Sequence, residues 1–342
     1  MDLQIAVLLG QDGVVNGAIY ALLALALVLV FSVTRVIFVP QGEFVAFGAL
    51  SMAMLQAGRA PGTLWLFAVL TPLTVGAELW RGWRGFQTNW FPTLLWAALL
   101  PALATTMALV IQPTSPAAQV LTTLLLITPL GPMIYRLAFR PLAQASVLTL
   151  LIVAVALHGV LVGLGLYFFG AEGSRTAAFS EARWIVWGVP MNGQSLVVVG
   201  VTLLLSGVLF AFFEYSIAGK ALRATAINRV GARLMGIPAD LAGDLSFALA
   251  ALIGGVSGLL IAPLTTIYYD TGFIIGLKGF VAAILGGLAS YPLAMAGALL
   301  VGLLESFSAF WASALKEVIV FTLILPVLLW RSLRSRHVEE DE

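Results

Sequence analysis

The chain contains no cysteine, which excludes disulfides, a thiolate metal site and a cysteine nucleophile. Histidine is almost as scarce: His158 lies in an apolar run and His337 near the C-terminus. H-E-x-x-H is absent, and no Ser-His-Asp arrangement is suggested, so neither zinc-assisted nor serine-type hydrolysis is indicated. Also missing is G-x-x-x-x-G-K-[ST], whose backbone amides cradle nucleotide phosphates. Charge is thin, at 10% of residues, and the formal net value is +1, so the balance calls for neither a nucleic acid nor an acidic partner.

Apolar residues fill the space these absences leave. Of 342 residues 61% are hydrophobic, and the mean hydropathy is +1.05. Nearly uncharged stretches of ~18 or more residues recur, and ~20 residues at 1.5 Å rise match a ~30 Å hydrocarbon core. They do not alternate as barrel strands do. The expectation is all-α, a polytopic transmembrane helical bundle of roughly 9–11 segments with no soluble domain. Spans fall near 13–32, 43–58, 64–79, 92–111, 118–135, 147–168, 195–213, 241–263, 273–289, 293–311 and 315–330. The glycine-interrupted 273–289 is short enough to be re-entrant. The start M-D-L-Q-I lacks a cationic leader, so the N-terminus is expected to be retained.

Cations set the orientation. With the N-terminus outside, inner loops hold Arg35, Arg81, Arg84, Arg136, Arg140, Lys220, Arg223, Arg229, Arg233, Arg331, Arg334 and Arg336. The outer side keeps Arg59, Arg175, Arg183 and Lys316, which satisfies the positive-inside rule and puts the C-terminus in the cytoplasm. The tail H-V-E-E-D-E is then a solvated end. Trp80, Trp83 and Trp90 read as an interfacial aromatic belt. The outer loop from Gly170 to Gln194, carrying Trp184 and Trp187, is either a docking surface or a lid.

Among the polar features, the stretch G-K-A-L-R-A-T-A-I-N-R-V-G-A-R-L-M-G-I-P-A-D, residues 219–240, concentrates Lys220, Arg223, Arg229 and Arg233. A lipid-surface helix would separate cations from apolar residues. Here the row Leu222, Ala226, Val230 and Leu234 is crowded by arginine, and Gly231 and Gly236 are expected to break it; a short helix seated in a protein groove fits better. Lys278 and Glu305 fall inside apolar segments, where each costs a few kcal/mol unless paired or hydrated. They are expected either to pair across neighbouring helices or to line a solute path with Gly286, Gly287 and Ser290. Glu43, in P-Q-G-E-F, starts a helix, where the dipole favours a carboxylate. His158 reads as a packing histidine bonded to a neighbouring helix. Gly159 with Gly163, Gly254 with Gly258 and Gly272 with Gly276 are small faces for close helix approach. Gly254-Gly255 and Gly286-Gly287 further suggest helices loosened for conduction.

Three stretches together resemble a known family. Residues 219–240, the run G-F-I-I-G-L-K-G-F-V-A-A-I-L-G-G-L-A-S-Y-P-L-A-M-A-G-A-L-L-V-G-L-L-E-S-F, and N-G-A-I-Y-A-L-L-A-L with the turn Gln41, Gly42, Glu43 are similar to inner-membrane permease subunits of ABC importers for branched-chain amino acids, the LivH type. The sequence departs from that pattern at Ile227 and Asn228, where the family usually carries acidic residues, and at Phe38, Val39 and Pro40, where Asn-Phe-Ala is common. Residues 62–116 have no recognised counterpart and would add a helical pair.

The resemblance implies a single integral-membrane domain, 1–342, of a bacterial inner membrane. Residues 219–240 would be its coupling loop, shaped by Gly219, Gly231, Gly236 and Pro238, with the cations as grips. Implied partners are two ATPase subunits that use ATP-Mg, a second permease subunit forming a heterodimer, and a secreted amino-acid-binding protein. This chain itself would bind no cofactor or metal and catalyse nothing. Competing readings are an ABC permease for urea, short amides or sugars, and a stand-alone secondary transporter. The latter should show paired inverted halves, and none is visible.

Overall fold

The computed structural model describes residues 3–86, 88–186 and 189–334, which leaves Trp187, Arg336, His337 and the acidic tail outside the described residues. The chain begins with α1 (Leu3–Thr34), α2 (Gln41–Gln56), α3 (Thr63–Trp83), α4 (Trp90–Ile111), α5 (Pro116–Leu142) and α6 (Val147–Phe169). A two-stranded antiparallel hairpin follows, β1 (Arg183–Val186) and β2 (Val189–Asn192), pairing Trp184 with Met191. Next come α7 (Gly193–Tyr215), the short α8 (Ile217–Ile227) and α9 (Arg229–Leu234), then α10 (Ala239–Ile261). Last are α11 (Thr271–Leu285), α12 (Tyr291–Trp311), α13 (Lys316–Thr322) and α14 (Ile324–Arg334). Among the described residues, eight helices are long and apolar enough to cross a bilayer. The shorter α2 and α11 and the interrupted α13–α14 account for the remaining apolar stretches.

Helix α1 is apolar on every side between Ile19 and Val30, and a helix without a polar face belongs in the interior. It lies against α7, α10, α11 and α12, and its residues from Ala18 to Val30 are buried. By contrast α3, α4, α6 and α7 turn Trp65, Leu99, Ile152 and Leu204 outward, the pattern of lipid-facing helices.

Close backbone approach holds the interior together, because burial of apolar surface supplies little drive between helices in lipid. The expected glycine faces divide. Gly254 and Gly258 pack on α2, and Gly272 and Gly276 meet Gly42, whereas Gly159 and Gly163 face nothing within 4 Å. Gly254-Gly255 sits in an unbroken α10 and loosens nothing there. A Cβ on Gly42 would stand 1.9 Å from the Gly272 carbonyl oxygen. That atom is backbone and cannot rotate aside, so Gly42→Ala is expected to force α2 and α11 apart at a cost on the order of 1–3 kcal/mol or more. The midpoint of thermal unfolding in detergent should fall accordingly, with Gly159→Ala as a near-neutral control.

Two segments start in the interior. Gln41, the first residue of α2, donates its Nε2 to the carbonyl of Ala250, halfway along α10, at 2.9 Å. Glu43 meets His158, midway along α6. Helix α2 therefore begins at mid-depth, and the irregular connection that leads to it, exposed at Arg35, is buried or half-buried from Val36 to Pro40, as backbone at that depth must be. Helix α11 has 15 residues, about 22 Å at 1.5 Å each, too short for a full crossing.

One correction concerns α5. Arg136 and Arg140, expected in a loop, lie on this helix and are buried. Their partners, described below, are acidic residues from three other positions in the chain.

Candidate functional site

The cationic stretch forms an elbow of two helices rather than one. Ser216 caps α8, its hydroxyl accepting from the Gly219 amide at 2.9 Å. The break falls at Asn228, which has extended backbone and accepts from the Gly231 amide through its side chain at 2.8 Å. Gly231, expected to break the helix, sits inside α9, because an Asn cap one turn earlier satisfies its amide. Gly236 does terminate the helix: its φ is +84°, and the amides of Gly236 and Ile237 return to the Arg233 and Ala232 carbonyls, a close that favours glycine.

The kink splits the apolar row. Leu222 is buried against the bundle, while Val230 and Leu234 stand outside beside Ile227 and Met235, the last three all more than 80% exposed. Lys220, Arg223 and Arg233 are exposed too. Arg223 donates to Glu214 at 2.6 Å. Arg229 donates to the Ala143 carbonyl at 3.2 Å, tying the elbow to the α5–α6 turn. Pro238 ends the connection and leads into α10. The result is an apolar ridge flanked by cations and uncovered within the chain, a feature of surfaces that contact protein or membrane.

Behind the elbow lies a buried ion cluster. Arg136 forks onto Asp244 at 2.9 and 2.5 Å. It also donates to Thr93 at 2.5 Å and to Glu78 at 3.4 Å. Arg140 donates to Asp240 at 2.9 and 2.5 Å, and to Glu78.

A second cluster joins four helices in the interior. Lys278 of α11 donates to Glu305 of α12 at 2.5 Å and to Glu317 of α13 at 3.1 Å. Tyr20 of α1 donates to the other oxygen of Glu305 at 2.5 Å, and its ring centroid is 5.8 Å from the ammonium. Beside this group opens a polar cavity of about 520 Å³ bordered by Asp12, Asn16, Glu305, Ser306 and Lys316. Gly286, Gly287 and Ser290 do not belong to it. They form the α11–α12 turn, eight or more residues beyond Lys278 and about 12 Å along the helix axis. There Gly287 has a φ of +69°, and a Cβ on Gly286 would stand 2.6 Å from the Ala294 nitrogen.

The early turn is a third polar spot. Gln41 and Glu43 are fully buried, Glu43 bonds His158 at 2.8 Å, and His158 stacks on Phe273 with centroids 4.4 Å apart. Both carboxylate and glutamine sit in the first turn of α2, where the helix dipole favours negative charge.

The sequence reading missed Tyr20, Glu78, Asp240, Asp244 and Glu317 as partners. Glu78 and Asp244 carried a usable signal, since an acidic residue within an otherwise apolar helix demands a cation nearby.

Comparison with known proteins places these features in context. Residues 11–328 match the family model described as branched-chain amino acid transport system / permease component. The high-affinity branched-chain amino acid transport system permease protein LivH of Escherichia coli is 34% identical over 209 residues, 58% of this chain and 67% of LivH. BraD of Pseudomonas aeruginosa, of the same description, is 31% identical over 208 residues, 59% of this chain and 68% of BraD. The probable branched-chain amino acid transport permease LivH of Methanocaldococcus jannaschii is 30% identical over 184 residues, 52% of this chain and 58% of that protein.

Proposed function

The chain belongs to the branched-chain amino acid transport permease family, and on that premise we propose that it is the membrane permease subunit of an ATP-driven importer that moves leucine, isoleucine and valine. It spans the bacterial inner membrane many times, with its N-terminus outside and its elbow and C-terminus in the cytoplasm. Energy comes from two separate ATPase subunits that bind ATP-Mg, and cargo arrives from a secreted binding protein. A second permease subunit completes the channel.

The observation that carries this reading is the elbow. Ile227, Val230, Leu234 and Met235 stand exposed amid Lys220, Arg223 and Arg233, at the foot of the well-buried α10. Such a ridge costs free energy in water unless a partner covers it. A partner that grips it can push on α10, which packs along α1 and α2. The Lys278–Glu305 pair and the cavity beside it, bordered by Glu305, Asp12 and Lys316, suit a path in which a zwitterion meets charges of both signs. The α3–α4 pair, within residues 62–116, is an addition to the usual permease set.

The test is reconstitution. Proteoliposomes holding this chain, its companion permease and both ATPases should accumulate leucine only with ATP and the loaded binding protein. Accumulation by this chain alone, driven by an ion gradient, would overturn the proposal in favour of a secondary transporter.

A further inference from the structure

A polar cavity of about 650 Å³ separates the α3–α4 pair from the α9–α10 connection. The buried ion cluster lies along it. Arg136 and Arg140, one helical turn apart on α5, both reach the same oxygen of Glu78 on α3. Their remaining nitrogens go to Asp244 and Asp240 in the first turns of α10, and the Arg136 nitrogen that meets Glu78 also donates to Thr93 on α4. Glu78 and Asp244 are each 2% exposed, and Arg136 and Arg140 are below 10%. Arg81, also on α3, adds a longer pairing to Asp240 at 3.8 Å.

The placement matters because of what precedes Asp240. The connection from Met235 to Pro238 carries no helix and turns at Gly236 with φ +84°, so it is the joint between elbow and α10. Forked arginine–carboxylate pairs fix orientation as well as distance. Here one fork, Arg136 on Asp244, and a pair of Arg140 donors on a single oxygen of the half-exposed Asp240, both braced from behind by one carboxylate, hold the far side of the joint.

We propose that Glu78 is a positioning residue for transport: through Arg136 and Arg140 the α3–α4 pair holds the first turns of α10, so that motion of the elbow enters the bundle instead of being absorbed at Gly236. The proposal rests on the permease reading above. It also gives the α3–α4 pair a task, that of a stay bracing the joint.

Glu78→Gln tests it cleanly. Arg136 keeps its fork to Asp244 and Arg140 keeps Asp240, so neither guanidinium is orphaned and the chain should still fold. In the complete reconstituted importer, leucine moved per ATP hydrolysed should fall roughly five- to tenfold, the low end of coupling between distant sites. Hydrolysis itself should persist, and Glu78→Asp, which retains the carboxylate, should recover part of the ratio. In the same complex, backbone hydrogen exchange over residues 229–242 should quicken in Glu78→Gln. A wild-type ratio or wild-type exchange in that variant overturns the proposal. If the wild-type complex moves no leucine, the permease reading fails instead, and the exchange measurement still decides whether the stay exists.

Discussion

Lys278→Met is expected to destabilise the solubilised chain by about 3–5 kcal/mol, the usual result of removing one partner from a buried ion pair, and to abolish leucine uptake. Lys278 sits between two carboxylates, Glu305 at 2.5 Å and Glu317 at 3.1 Å, and its removal leaves both facing an apolar side chain. Tyr20 can satisfy one oxygen of Glu305, as it already does, but it supplies no charge. The interior then holds an uncompensated carboxylate, or takes up a proton to avoid one. Stability and transport are separated by the double variant Lys278→Met with Glu305→Gln. It removes both charges of the pair and leaves only Glu317, 37% exposed and so open to water, without its cation; the thermal midpoint should therefore recover much of the loss. Uptake should stay absent if the charges meet the zwitterion. Uptake at wild-type level in that double variant would make the pair a purely structural joint and remove Lys278 from the path.

What could be read in the sequence was set by the range of the interactions involved. The all-round apolar character of α1 is local and marks it as a span, whereas its place at the centre of the bundle is set by α7, α10, α11 and α12, far along the chain. The elbow was visible because four cations within fourteen residues are an anomaly in a chain with 10% charge. Its internal break was misplaced because glycine draws attention as a breaker, whereas Asn228 ends α8 by extending its backbone and caps α9 with its side chain. Arg136 and Arg140 were assigned to a loop because hydropathy ends a span at the first charge. Their neutralising partners lie 58–108 residues away and leave no local trace. Glu317 was missed for a related reason: beside Lys316 at a helix start it resembles an exposed pair, yet it turns inward to Lys278. Gly286, Gly287 and Ser290 are close to Lys278 in sequence, but a helix carries its residues 1.5 Å apart along its axis, so their turn lies about 12 Å from the Lys278 cluster.

Replacing Arg229 and Arg233 together by glutamate should release the ATPase subunits and reduce transport to background while leaving the permease inserted. The two side chains act differently. Arg229 donates to the Ala143 carbonyl and steadies α9 against the α5–α6 turn. Arg233 is exposed beside Leu234 and Met235, at the rim of the apolar ridge. Reversal at Arg229 therefore loosens the elbow from within, and reversal at Arg233 changes the sign of the rim that a partner meets. Like charges placed across an interface cost several kcal/mol, and a change of only ~2.8 kcal/mol is about a hundredfold in affinity. Most of the bundle does not sense either change, since α8 and α9 lie outside its core apart from Leu222, Thr225, Gly219 and Ala232. Membrane yield and thermal midpoint should accordingly match wild type. Co-purification of the ATPases with the tagged permease is the decisive measurement. Undiminished recovery would show that the apolar ridge alone carries the contact, and Leu234→Asp with Met235→Asp would then be the variant that breaks it.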